Sequence, residues 1–263
     1  MPPDTGADAR PRRSIWAWLA PALAIVVLVG AALWAVAFVN GVYGHEHTWI
    51  TASKWIYENV PDGSVLAGEH WDDTLPKDLQ TPPGAYRGAH NYRVLDIPNY
   101  EEDTPAKFET LKGMLREADY IALATNRLYQ SIPRLPERYP MTTKYYELLF
   151  SGQLGFEQVA EFTSRPRLGP WEFVDDNADE SFTVYDHPKP IIFKKVRDLS
   201  DAEWDQLLGG TWQGARPGYV GEPGLLDKLL DSLPLLGRAG SAPQSTPPSE
   251  RNKTLLLDRP TEE

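Results

Sequence analysis

Residues 15–39 run from Ile15-Trp16-Ala17-Trp18-Leu19 to Trp34-Ala35-Val36-Ala37-Phe38-Val39 with no charged side chain and one proline, Pro21. At helical rise, roughly 20 apolar residues cross the hydrocarbon core of a bilayer. Inside lipid a spanning segment must satisfy its own backbone hydrogen bonds, so the stretch is expected to be helical. Trp16 and Trp18 lie near one end, and Trp34, Phe38 and Tyr43 near the other, where interfacial aromatics belong. The chain that follows is polar and globular in character, so the sequence describes an anchored domain.

Arg10, Arg12 and Arg13 stand just before the span, and Lys54 is the one Lys or Arg between His45 and Tyr57. This asymmetry predicts a cytoplasmic N-terminus (1–14), a transmembrane helix (15–39) and an extracytoplasmic remainder at the cell membrane. A cleaved signal peptide is the rival reading, but its apolar region is shorter, roughly 7–15 residues. Phe38-Val39-Asn40-Gly41-Val42 is also a poor cleavage site, and an uncleaved signal-anchor is favoured. The 263 residues contain no cysteine, so no disulfide staples the outer domain. The net charge of −11 argues against nucleic acid as a partner, because a phosphate-binding surface is basic. Twelve Tyr and nine Trp suit a core with interfacial anchoring, or stacking on sugar faces.

Beyond the span, Thr48 to Asn59 reads as a helix with Trp49, Ala52 and Ile56 on one face, stopped by Pro61-Asp62-Gly63. Ser64 to Ala67 and Tyr92 to Ile97 read as strands, with a Pro/Gly-rich loop over 74–91 between them. Thr104 to Ala118 is the clearest soluble helix: Thr104 caps it, Pro105 takes its first position, and Phe108, Leu111, Leu115 and Ala118 make its apolar face. Tyr120 to Ala124 is the next strand. Strand–helix–strand order implies a βαβ unit and a partly parallel sheet. Residues 126–139 read as loop or short helix and Thr142 to Phe150 as a helix. Phe156 to Thr163, Glu172 to Val174, Phe182 to Tyr185 and Ile191 to Lys195 read as strands, with Asp186-His187-Pro188 as a hairpin turn.

The expected fold is therefore α/β: one transmembrane helix, then a single mixed-sheet domain over 45–196 with a βαβ start and an antiparallel C-terminal half. A helical or irregular extension covers 197–239, including a helix over Ser200 to Leu208 and the apolar Leu225 to Leu236. A disordered linker and tail covers 240–263.

Glu69-His70-Trp71-Asp72-Asp73 closes the first strand and is the candidate ligand-binding site. In sheets with parallel strands, ligands gather at strand carboxyl ends. Carboxylates with tryptophan suit a sugar, and carboxylates with histidine suit a cation. A polar loop whose Asp side chains cap turns is the plain alternative. Adjacency alone does not make Asp72 and Asp73 a catalytic pair, because such a pair is defined by its spatial separation. His45, Glu46 and His47 read as interfacial solvation in preference to metal ligation. No cofactor or nucleotide motif occurs, so no catalytic residue, metal or cofactor is expected.

Taken together, Trp55-Ile56-Tyr57-Glu58-Asn59-Val60-Pro61, Glu69-His70-Trp71-Asp72-Asp73-Thr74-Leu75-Pro76, Ala118-Asp119-Tyr120-Ile121 and Asn126-Arg127-Leu128-Tyr129 resemble the outer domain of bacterial polyprenyl-phosphate-sugar-dependent glycosyltransferases. So do Arg134 to Pro140, Tyr145 to Phe150 and Ser181 to Pro188. These are the membrane enzymes of the protein-mannosyltransferase and aminoarabinose-transferase type. The resemblance covers about residues 45–196. Lys253 to Pro260 is similar to a stretch that leads, in longer fused relatives, into a further multi-span domain.

Such enzymes have many transmembrane helices, with catalytic acids in the first outer loop and the lipid-linked donor held among the helices, and this chain shows one span. The resemblance thus implies an accessory, non-catalytic domain that recognises acceptor, glycan or polyprenyl-linked sugar beside a multi-span glycosyltransferase. It leaves open whether the chain is a gene fragment, a split subunit or a stand-alone relative. A single-pass structural subunit of another membrane complex is the second reading, and a hydrolase acting through Asp72 and Asp73 is the third.

Overall fold

The computed structural model describes residues 16–70, 72–79 and 91–220. Trp71 of the candidate cluster lies outside them, as do the N-terminal arginines, most of the Pro/Gly-rich loop, Leu225 to Leu236 and the tail.

Helix α1 (Trp16–Phe38) has 23 residues and carries Pro21 in its first turns. At 1.5 Å per residue it is about 34 Å long. It is long and apolar enough to cross a membrane, and its described side chains are exposed until Ala37. It continues into a π-helical turn, Val39–Tyr43. The folded domain begins with α2 (Thr48–Asn59), whose first turn is capped by His47 Nδ1 accepting from the Trp49 amide at 3.2 Å.

Five strands form the main sheet: β1 (Val65–Glu69), β2 (Arg93–Ile97), β3 (Tyr120–Leu123), β4 (Phe156–Glu161) and β7 (Ile191–Lys195). Their order is β2-β1-β3-β7-β4. β1 runs parallel to both β2 and β3, while β7 runs antiparallel to β3 and β4. The expected architecture, a βαβ start with an antiparallel second half, is what the chain adopts. The crossover from β2 to β3 is α3 (Pro105–Glu117), capped by Thr104 Oγ1 with Pro105 in the first turn.

Side chains alternate across the sheet, as the two-residue period requires. Ala67, Ile121, Leu123, Ile191 and Phe193 face a core built with α3, α5 (Pro140–Phe150) and α7 (Asp201–Leu207). Leu66, Tyr120, Ala122 and Ile192 face a smaller core under α2. The domain is thus a sheet between two helical layers. Trp204 of α7 is among its largest fully buried side chains, so the described part of the extension shares the main core. A capping box between Ser200 and Glu203 starts that helix.

Three expectations fail locally. Phe182 to Tyr185 does not form a strand; Glu180–Thr183 is a short helix, α6, capped by Asp179. Asp179 Oδ1 accepts from both the Ser181 amide and its hydroxyl, and this local cap outweighs the β propensity of Phe-Thr-Val-Tyr. Asp186-His187-Pro188 therefore joins a helix to β7 and is not a hairpin turn. Of Glu172 to Val174, only Glu172 is in a strand. β6 (Trp171–Glu172) pairs with β5 (Arg167–Leu168) in a separate two-stranded hairpin, and the Phe173 amide extends it by donating to Pro166 O at 2.9 Å. Between β3 and α5, the ambiguous stretch 126–139 holds α4 (Arg127–Ser131) and a 3-10 turn, Ile132–Arg134.

Candidate functional site

β1 extends to Glu69, one residue into the predicted cluster, and strand alternation then sorts its members. Glu69 shares a face with Ala67 and points into the main core. Its side chain is almost fully buried, and Oε1 accepts from Tyr146 Oη and from Asn99 Nδ2 at 2.9 Å. Asn99 Nδ2 also reaches Tyr146 Oη at 3.2 Å. Among the described residues, Glu69 Oε2 has no hydrogen-bond partner. Burial pushes the Glu69 pKa up to about 7, against the lowering effect of Tyr146 and Asn99. Burial likewise pushes Tyr145 and Tyr146 well above the usual phenol range, and the nearby Glu69 carboxylate adds to it.

His70 turns to the opposite face. Its Nδ1 lies 2.8 Å from Asp96 Oδ2 on β2, diagonally across the sheet, because Asp96 stands in register with the side-chain-free Gly68. Asp72 Oδ2 accepts from Thr125 Oγ1 at 2.7 Å, just past the end of β3. Burial raises the Asp72 pKa, while Thr125, the Asp73 amide and Arg127 oppose the shift. Asp73 pairs instead with Lys77, whose ammonium also sits 4.5 Å from the centre of the Trp49 ring. Trp49 Nε1 in turn donates to Ala124 O at 2.9 Å.

The four described members of the cluster thus share no partner among these contacts. Asp72 and Asp73 point apart, as chain neighbours do. Among the described residues, no three His, Asp or Glu side chains converge as a metal site would require. His47 is used to cap α2 and to meet Tyr185 O at 3.0 Å, and Glu46 pairs with Lys54.

What the cluster does build is a surface across the carboxyl ends of the three parallel strands: His70, Asp72 and Asp73 just after β1, Asp96 on β2, and Arg127 at the start of α4, with Thr125 buried beneath it just after β3. Trp49 and Lys77 flank one side. Tyr185 lies beyond His47, its hydroxyl accepting from Arg127 Nη2 at 2.8 Å. Sequence spacing pointed only to the β1 segment. The strand-end rule, applied to the other two predicted strands, would have added Asp96 and Thr125. No local signal marks Asn99 or Tyr146 as partners of Glu69, since they come from a loop and a helix 30 and 77 residues away.

Comparison with known families, curated proteins and solved structures finds no match. Geometry therefore carries the functional reading.

A second polar group lies away from the surface. Lys107 Nζ is buried and donates to Asp103 Oδ1 at 2.8 Å, Asn99 O at 2.9 Å and Thr142 Oγ1 at 2.6 Å. Asp103 Oδ2 accepts the Met141 and Thr142 amides at the start of α5. Desolvation lowers the Lys107 pKa in spite of Asp103. This network pins the segment that carries Asn99 onto α5, which carries Tyr146, and so fixes the two groups that hold Glu69.

Proposed function

We propose that the chain is a membrane-anchored, extracytoplasmic, non-catalytic domain related to polyprenyl-phosphate-dependent glycosyltransferases. In this reading it recognises glycan or acceptor through the strand-end surface and works beside a multi-span glycosyltransferase. Arg10, Arg12 and Arg13 before the span support the outward orientation.

One observation carries the recognition reading. The strand-end surface pairs Asp73 with Lys77 and sets Asp72 near Arg127, and the two cations lie against the rings of Trp49 and Tyr185. Asp72 accepts from the buried Thr125 hydroxyl. Polar pairs beside flat rings suit the hydroxyls and apolar faces of a sugar.

The test is purification of the full-length chain from its native membrane in mild detergent, with mass spectrometry of co-purifying proteins. Glycan binding by the same material is then followed by tryptophan fluorescence. A stoichiometric multi-span glycosyltransferase, or glycan binding lost in Arg127→Ala, supports the proposal. A chain that has neither such a partner nor affinity for glycan or polyprenyl-linked sugar refutes it.

A further inference from the structure

The β5–β6 hairpin sits against the outer end of α1. At Gly41 the two backbones touch: a Cβ there would overlap Arg165 O and Arg167 N, and Ser164 Oγ donates to Gly41 O at 2.9 Å. Tyr43 Oη donates to Asp186 Oδ1 at 2.7 Å, and Thr48 Oγ1 to Pro188 O at 2.7 Å, so the domain is fixed to the helix on a second side.

Aromatic contacts place the hairpin along the helix axis. Phe38, at the end of α1, packs on Phe182 with ring centres 5.7 Å apart. Trp34, one turn deeper, packs edge-on against Phe173 at 5.6 Å. Four residues of helix are about 6 Å, so the hairpin reaches about 6 Å further toward the membrane centre than α6 does. Trp34 is the first of the aromatics, with Phe38 and Tyr43, that mark the interface at this end of the span. Phe173 therefore lies at the level where lipid tails meet headgroups.

The hairpin's chemistry fits that level. Trp171 and Val174 are each 68% exposed, and Phe173 is 39% exposed. Leu168, Gly169 and Pro170 form a neutral turn. Glu172, the one charged residue between Leu168 and Val174, is matched: it accepts from Arg167 Nη2 at 2.7 Å and Arg165 Nη1 at 2.9 Å. Arg165 also grips Asp176 through Nε and Nη2, each at 2.7 Å. Such an apolar patch facing water is costly in a soluble domain, and here it continues the apolar surface of α1.

We propose that the hairpin tip, Leu168 to Val174, inserts into the outer leaflet beside α1, with Trp171, Phe173 and Val174 in contact with lipid. The helix and hairpin then form a two-point mount that sets the domain's tilt and the height of its strand-end surface above the bilayer. The inference rests on α1 spanning the membrane and is independent of what the surface binds.

The chain lacks cysteine, so single-site labelling has no background. Trp171→Cys and Val174→Cys, with Leu28→Cys on α1 and Val94→Cys on β2 as references, are each given a nitroxide. The full chain is then placed in phosphatidylcholine nanodiscs. Accessibility to oxygen, which concentrates in lipid, is compared with accessibility to a water-soluble nickel relaxer. All four side chains are exposed, so the labels do not disturb the core.

The expected result is an oxygen-to-nickel ratio at 171 and 174 several-fold above that at 94 and approaching that at 28. Ratios at 171 and 174 equal to that at 94, with position 28 in lipid, overturn the proposal and leave the anchor intact. Water-like values at 28 as well overturn both. Low accessibility to both relaxers at 171 and 174 shows that protein, either a second copy or another subunit, covers the tip, and also overturns the proposal.

Discussion

Replacing Glu69 with Gln isolates the energetic consequence of the buried carboxylate. With a folded pKa of about 7 against 4.5 for the ordinary group, the native state binds more protons than the unfolded state between those two values. Stability therefore falls as pH rises through that window and levels off above it. A shift of about 2.5 units corresponds to about 3 kcal/mol at 1.36 kcal/mol per unit. The introduced amide keeps the side-chain shape and leaves an acceptor for Tyr146 and Asn99, but carries no charge. Its nitrogen takes the place of Oε2, which has no partner among the described residues, and becomes an unsatisfied donor that costs about 1–3 kcal/mol and offsets part or all of the gain.

At about pH 8 the Glu69→Gln variant is expected to be more stable than wild type by up to about 2 kcal/mol, with the advantage reversing near pH 5. Urea unfolding of the full-length chain in detergent micelles, read by tryptophan fluorescence across this range, measures both curves. Other titrating groups contribute to both proteins, so their difference reports Glu69. Parallel profiles, or a variant that loses more stability at pH 8 than at pH 5, would refute the reasoning.

Three further outcomes test the framework. Gly41→Ala forces a Cβ into the backbone of Arg165 to Arg167, so amide exchange over 164–174 should rise while β1 and β3 keep their protection; unchanged exchange in the hairpin would show that the junction is loose. Lys107→Ala strands the Asp103 carboxylate in the interior and should cost about 3–5 kcal/mol of unfolding free energy, partly recovered in the double variant with Asp103→Ala. Trp204→Ala should cost about 3–5 kcal/mol, because α7 closes the main core; a loss below about 1 kcal/mol would make the extension an appendage.

Legibility followed the range of the interactions. Thr104 and Pro105 at the start of α3, Pro61-Asp62-Gly63 after α2 and the Ser200 cap of α7 are decided within a few residues, so they can be read along the chain. α6 shows the same rule from the other side: the Asp179 cap is equally local, but the β-branched and aromatic residues after it argue for a strand. The isolated β5–β6 hairpin could not be told from a sheet strand, since two residues of Trp-Glu do not say which edge they join.

The candidate site divides in the same way. Its β1 segment is visible because strand, turn and acidic run are contiguous. The partners that give each acid its role stand on β2, β3, α5 and the loop before α3, and no periodicity links them.

By itself, the sequence determined an apolar helix able to span a bilayer, an acidic α/β domain after it, and the parallel-then-antiparallel order of its strands. These follow from hydrophobic period, caps and turn residues, all of them local. Only the tertiary structure decided that Glu69 points inward while His70, Asp72 and Asp73 diverge. It alone brought Gly41 against Arg165 and Phe173 down beside Trp34. Those outcomes depend on strand register and on contacts between residues more than a hundred positions apart, where burial and close approach select the arrangement.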